Sequence, residues 1–387
     1  MTDAASATHW SGADNRALIA VAIHFVINGA VLASWLPRLP EIRDVLDVSL
    51  ATVGQAIMLA GLAGFFASAV ADRVIRAFGT RRVMIVGTAL LVCCLPGVAL
   101  ASSVWVLVFV LACLTACDVL IDIAMNMQGS ALSARRSTPV MNRLHAMWSV
   151  GTLLAGGIAA ALAAQSVPLI WHLVGAAVVM LAALSWTAKH VLRADKAAAG
   201  DETASRSIGR TMWLFALIGG AAIVPEMTAT DWASFRLHDD LGVALGPASM
   251  GFVAFTGCMV GARLFGDFVQ QRFGPTQTLN GACVIALFGC LLAALVPNPI
   301  VSCVGFGLSG IGISVLFPAI YDSAAQHPVR PGAALGAMSA GMRLGAVFTP
   351  FAVGSLADLG GNVGVAMVAV VLPALVAVWW SSREQAV

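Results

Sequence analysis

The chain has 387 residues, of which 59% are hydrophobic and only 10% charged, with a mean hydropathy of +0.91 and a formal net charge of +2. A soluble protein of this size needs far more charge to cover its surface. The composition therefore excludes a soluble enzyme and a nucleic-acid-binding protein, and it predicts an all-α polytopic membrane protein embedded in a lipid bilayer.

Twelve helices are expected, each near the ~20 residues that a bilayer demands. In the first half they run over 16–37, 51–71, 83–101, 104–130, 140–164 and 169–188. In the second half they run over 211–233, 247–266, 277–295, 300–322, 335–357 and 363–380. The apolar run after Arg16 carries His24 and Asn28, so it reads as a retained first span rather than a cleaved signal. Pro37 and Pro40 end it, because proline cannot continue a helix. All eight cysteines fall inside apolar runs and read as small buried hydrophobes. No zinc pattern, H-E-x-x-H motif or phosphate-binding glycine-lysine loop is present, so no metal or cofactor is expected.

Lys and Arg set the orientation. Sixteen lie on one side, from Arg16 through Arg73, Arg76, Arg81 and Arg82 to Arg383. Three lie on the other: Arg38, Arg43 and Arg236. This bias puts both termini in the cytoplasm, which an even number of spans requires. The polar stretch 189–210 divides six helices from six and reads as a flexible linker between bundles at 1–188 and 211–387. The halves repeat: Asp72 to Gly79 and Asp267 to Gly274 align at the same offset as Leu46 to Leu50 and Leu241 to Leu245. Two parallel six-helix repeats with a site between them at mid-membrane is a transporter architecture.

The densest polar signal inside an apolar run is Asp118, Asp122 and Asn126 in the fourth helix. Their spacing places all three on one helical face. A carboxylate in hydrocarbon costs several kcal/mol, so it serves a cavity, a proton or a partner. The plainer alternative is a polar clamp between helices. The stretch continues into His145 and Trp148 of the fifth helix.

At this point the chain resembles the major facilitator superfamily over nearly its whole length. Asp72-Arg73 followed by Gly79-Thr-Arg81-Arg82 is similar to the superfamily's signature loop, with Ser68 in place of the leading glycine and four extra residues before the second Gly. The resemblance implies a gate role for Asp72, Arg73, Arg82 and, in the second half, Asp267. The alternative is anchoring by positive charge alone. Asp122-Ile-Ala-Met-Asn126, His145-Ala-Met-Trp148-Ser149 and Glu226 followed by Asp231-Trp232 resemble the fucose-permease branch and its YbjJ-type relatives. That resemblance implies a coupling proton on Asp122 and a substrate faced by His145 and Trp148. A His and a Trp stand where the permease has sugar-binding amides, so the substrate need not be a deoxy-sugar. The family also implies a monomer.

Desolvation favours the neutral form of a carboxyl that no cation compensates, which suits Asp122 to carry a proton. Asp118, one turn away, and Glu226 support it; for Glu226 an ion pair with Arg343 is the competing reading. Arg343 binds an anionic solute or neutralises an acid. Arg263 is expected to pair with Asp267 four residues on. Asn28, Asn126, His145, Trp148, Asp231 and Arg343 are the substrate-binding candidates. Trp35 and Trp232, near helix ends, are expected to anchor at the interface. Gly307-Leu-Ser309-Gly310 matches the short serine motif of rhomboid proteases, but the duplicated layout argues against a hydrolase.

The sequence reads as a secondary transporter of the inner membrane that moves a small polar, sugar-like solute with protons by alternating access. Its rivals are a proton-driven exporter of cationic or amphipathic compounds and a transporter-fold sensor. The short tail after Ser381 offers a sensor no signalling domain.

Overall fold

The structure is a computed structural model, and it describes residues 11–136, 140–192, 210–325 and 331–384. Among the described residues, twelve stretches are helical, long and apolar enough to cross a membrane. We number the main helix of each: α1 (Gly12–Trp35), α2 (Leu50–Phe78), α3 (Thr80–Cys93), α4 (Val104–Arg136), α5 (Met141–Ala164) and α6 (Leu169–Thr187). The second half has α7 (Arg210–Phe235), α8 (Met250–Phe273), α9 (Pro275–Leu295), α10 (Pro299–Ala325), α11 (Pro331–Gly360) and α12 (Val363–Glu384). Together they form two pseudo-symmetric six-helix bundles. Most of the expected linker, 193–209, lies outside the described residues.

Several helices run past their apolar runs. α2, α4 and α8 extend to Phe78, Arg136 and Phe273, beyond the expected ends at 71, 130 and 266. Their polar last turns continue the helix into solvent, where hydropathy stops reporting it. The third span is interrupted instead: α3 ends at Cys93, and a short helix Leu95–Ala99 restarts with Pro96 in its first turn, where a missing N–H is harmless. After α1 the chain turns through a 3-10 segment, Leu36–Arg38, into a short helix, Leu39–Leu46, which closes at Asp47 with φ 50°.

The repeat is visible in the backbone. Gly79 and Gly274, which join α2 to α3 and α8 to α9, have φ of 78° and 80°. A side chain at either position would be strained. Helix pairs also meet alike. A Cβ on Gly29 of α1 would lie 2.3 Å from the Trp148 carbonyl oxygen, and one on Gly151 of α5 would lie 2.1 Å from that of Val26. In the second half Gly219 of α7 and Gly341 of α11 approach Met338 O and Ala216 O at 2.4 and 1.8 Å. Small residues let these backbones touch where lipid supplies no hydrophobic drive.

Alternating helices define two faces, and the termini share one of them. On the opposite face the arginines are not free cations. Arg38 is 2% exposed and grips Glu41 at 2.8 and 2.7 Å and the Val167 carbonyl at 2.8 Å. Arg236 is 3% exposed, pairs with Asp240 at 2.8 Å and donates to Ala293 O and Val296 O. Asp240 in turn accepts the Val363 and Gly364 amides at the start of α12, at 3.1 and 2.8 Å. A guanidinium with several fixed donors is suited to tie loop carbonyls and a carboxylate in one knot.

Candidate functional site

The close approach of α1 and α5 brings three polar groups from three helices into line. Trp148 Nε1 donates to Asn28 Oδ1 at 2.9 Å, and Asn28 Nδ2 donates to Asp118 Oδ1 at 2.6 Å. An amide can accept on one side and donate on the other, so Asn28 links the indole to the carboxylate. Asn28 is buried, while Trp148 and Asp118 are half-buried.

One turn towards the terminal face sits Asp122, which is solvent-exposed although it lies deep within α4. Asn126 Nδ2 donates to its carboxylate at 3.0 Å and to its backbone carbonyl at 2.9 Å. His145 of α5 lies within electrostatic range of Asp122, and so does Arg343 of α11. His145 is exposed, with its ring edge-on to Phe25 at 5.3 Å. Arg343 is exposed too and donates to Ser68 Oγ of α2. Arg263 of α8 interacts electrostatically with His145 and pairs with Glu226 of α7 at 3.6 Å. The charged set is thus shared: Asp122 and His145 come from the first half, and Arg343, Arg263 and Glu226 from the second. An exposed carboxylate and imidazole can exchange a proton, and with the guanidinium, whose charge is fixed, they can hold a polar or charged solute.

Several expectations are corrected. Glu226 pairs with Arg263 and not with Arg343, whose partner is Ser68. Arg263 reaches across to Glu226 of α7; its expected partner Asp267 has a side chain that lies outside the described residues. Trp35 and Trp232 are not interfacial anchors. They are 6% and 0% exposed, and Trp232 packs on Phe235 with ring centroids 5.1 Å apart.

Asp231 is buried, with the Thr230 hydroxyl donating to it at 3.3 Å. Its burial in α7 keeps it off the exposed surface that Asp122, His145 and Arg343 share. His24 is buried between the Thr88 and Thr187 hydroxyls at 3.0 and 3.1 Å and is a packing residue. Of the gate candidates, Asp72 pairs with Arg76 on its own helix, and Arg73 and Arg82 are exposed near the terminal face. Ser309 is 4% exposed, and its backbone packs on Gly289 of α9. The side chains of Tyr321 and Asp322 lie outside the described residues.

Sequence reasoning missed the groups that join the halves on the opposite face. Arg43 makes a two-pronged contact with Asp239 at 3.0 and 2.7 Å, and its guanidinium lies 5.5 Å from the Phe235 ring centroid. His238 Nε2 lies 3.4 Å from Asp44. Asp358 of α11 accepts the Leu50 and Ala51 amides, at 3.1 and 2.9 Å, at the start of α2. It satisfies donors that a helix cannot pair internally. Ser249 donates to the Pro37 carbonyl at 2.9 Å, and a Cβ on Gly54 would meet Pro350 O at 2.4 Å. Of these, Arg43 carried a signal in the sequence only as a charge on that face, with no indication of its partner. The others pair residues far apart in the chain. No group of three His, Cys, Asp or Glu able to hold a metal occurs among the described residues.

Comparison with known proteins agrees with this architecture. An uncharacterized transporter of Sinorhizobium fredii, y4wD, is 29% identical, with 87% of this chain and 90% of that protein covered. The crystal structure of the nucleoside transporter NupG superposes with a TM-score of 0.71 at 13% identity, covering 97% of this chain and 99% of NupG. The E. coli fucose:proton symporter FucP gives 0.64 at 15% identity, covering 95% and 98%. These likenesses carry the fold, and the proteins concerned are transporters, not enzymes. The family model described as Major Facilitator Superfamily matches residues 17–331 and 234–387, and this chain belongs to that superfamily of membrane transporters.

Proposed function

We propose that the protein is a proton-coupled secondary transporter of a small polar solute in the bacterial inner membrane. Asp122 carries the proton, and Asp118 and Glu226 support it. The single observation behind this reading is an exposed carboxylate at mid-helix with His145 on one side and Arg343 from the other half in electrostatic range. Protonation of Asp122 removes its attraction for Arg343. That weakens a link between the halves, so proton binding and reorientation are coupled through one pair of charges.

Asn28, Asn126, His145, Trp148 and Arg343 line the solute path; Asp231 joins them when the halves reorient. The Trp148–Asn28–Asp118 chain offers a flat apolar face beside directed donors and acceptors, which suits a sugar-like or nucleoside-like solute. NupG and FucP are named for such solutes, and their fold likeness is consistent with this class. The bundles 1–188 and 211–387 rock about the site, and the protein works as a monomer with both termini in the cytoplasm. Every arginine of the opposite face is neutralised in an ion pair, which sharpens the positive bias of the terminal face. In that orientation the joined face is periplasmic and the structure is inward-facing. Asp72, Arg73, Arg82 and Asp267 then belong to a cytoplasmic gate that is open: Asp72 turns to its own helix, and the two arginines are exposed.

The test is proton movement in proteoliposomes loaded with a pH dye and challenged with sugars, nucleosides, acids and cationic drugs. One solute class should drive proton uptake in the parent protein, and Asp122→Asn should abolish it while solute binding persists. Solute exchange without proton movement in the parent would refute the coupling. Response only to cationic drugs would replace the solute class with that of an exporter.

A further inference from the structure

Among the described residues, the ion pairs of the opposite face fall into three groups, and two of these balance. Arg38 is matched by Glu41, and Arg236 by Asp240. In the third group two carboxylates share Arg43. Its Nε donates to Asp44 Oδ1 at 2.7 Å, and its two terminal nitrogens donate to Asp239 at 3.0 and 2.7 Å. One guanidinium between two carboxylates leaves the group one positive charge short.

His238 stands where that charge is lacking. Its Nε2 lies 3.4 Å from Asp44 Oδ2, the oxygen that Arg43 Nε does not take. Its Nδ1 lies 2.8 Å from the Val243 carbonyl oxygen. A carbonyl only accepts, so Nδ1 carries a hydrogen, and this bond fixes the tautomer. The turn that presents the carbonyl is itself held: Gly242 has φ 66°, and the Val243 amide donates to Leu237 O at 3.0 Å. In the neutral ring Nε2 therefore turns a lone pair towards a carboxylate. In the imidazolium it turns an N–H and a positive charge, and the four side chains sum to zero.

The group also joins the halves. Arg43 and Asp44 lie on the short helix Leu39–Leu46, while His238 and Asp239 lie on a single π-helical turn, Arg236–Asp240, that follows α7. Other charges nearby are already occupied or apart. Arg236 and Asp240 of the same turn hold each other, and Asp240 also holds the amides that open α12. The start of α12 and the short helix Leu245–Ala248, both packed on the turn, bring no charged residue. On α7 the nearest in sequence is Asp231, two turns back, and Asp47 is exposed at the end of the Leu39–Leu46 helix. We infer that His238, Asp44, Arg43 and Asp239 form a proton-binding site between the halves, and that a proton held on His238 latches the opposite face. The contact with Asp44 is made in full by the charged ring, so it is present at low pH and lost as pH rises and the proton leaves. Imidazole changes charge between about pH 5 and 8. Separation of the halves takes His238 away from Asp44, so proton binding and closure of this face favour each other. The site uses none of the solute-site residues and stands whichever solute is carried. In the orientation proposed above it faces the periplasm.

His238 and Asp44 are 25% and 40% exposed, so water screens the pair, and the expected change in the ratio of closed to open opposite face is about threefold. The experiment measures distances between spin labels at Leu100→Cys and Ile300→Cys, positions 66% and 76% exposed at that end of the two halves. The full-length protein, without its accessible native cysteines, is placed in lipid nanodiscs at about pH 8 and about pH 5. In the parent the short distance should gain about threefold over the long one as pH falls. His238→Gln and Asp44→Asn should each abolish that response, and Asp122→Asn should keep it. No pH response in the parent would overturn the latch. An undiminished response in a folded His238→Gln protein would overturn the assignment to His238. A response lost in Asp122→Asn but kept in His238→Gln would place the controlling proton at the solute site instead. If His238→Gln fails to fold, Asp44→Asn, at a more exposed position, decides the matter.

Discussion

The contact between Arg43 and Asp239 exists only while the halves meet on the opposite face, so removing it should shift the balance of conformations. Asp239→Asn keeps the size of the side chain and removes its charge. The two bonds, at 3.0 and 2.7 Å, join side chains that are 17% and 16% exposed. A paired guanidinium and carboxylate in that setting contribute roughly 1–2 kcal/mol after desolvation and screening. Since about 1.4 kcal/mol is a factor of ten, the ratio of closed to open opposite face should fall about tenfold. Neither partner's own helix depends on the pair, so the fold should survive. Spin labels at Val45→Cys and Ile300→Cys, positions 80% and 76% exposed on the two halves, report the separation in a background without the accessible native cysteines. The parent should show mainly a short distance, and Asp239→Asn should add a longer one. An unchanged distribution in a folded Asp239→Asn protein would mean that the pair does not hold the halves, and the lock would rest on backbone packing alone.

Asp358→Ala should act in the same direction as Asp239→Asn. It should also leave α2 intact, because Ser49 still caps that helix through the Thr52 amide; the same distance measurement checks it. Arg236→Gln strands buried Asp240 and should cost about 3–5 kcal/mol, read as a lowered unfolding temperature in detergent, with Arg236→Gln/Asp240→Asn partly restored. Trp148→Phe removes the bond to Asn28 and should weaken solute binding about five- to tenfold without loss of fold, as measured by binding and by thermal unfolding. Gly151→Val drives a side chain into the Val26 backbone and should abolish stable protein, read as loss of the monodisperse peak on gel filtration.

The sequence alone determined the solvent, the secondary structure and the topology. A chain with so little charge has to live in lipid, and lipid permits only helices or closed barrels to span it. Twelve apolar runs then set the helix count, and Lys and Arg set the expected orientation. The helical spacing of Asp118, Asp122 and Asn126 put polar groups on one face of α4, because that geometry is local. The reach of α2, α4 and α8 beyond the apolar runs was not legible, since hydropathy reports the bilayer and not the helix.

Tertiary structure decided every partner that lies far away in the chain. Glu226 and Arg343 are both intramembrane charges of opposite sign, yet the helices carry Glu226 to Arg263 and Arg343 to Ser68. Spacing cannot reveal this, because the choice depends on how α7, α8, α2 and α11 rotate about their own axes. Trp35 and Trp232 looked like interface anchors from their places at helix ends, but both are buried, Trp232 against Phe235 and Gly354 of α11. Asp358 had no signal at all in the sequence. Its role arises because the amides it accepts lie at the start of α2, in the other half, and only folding brings that helix start to a carboxylate.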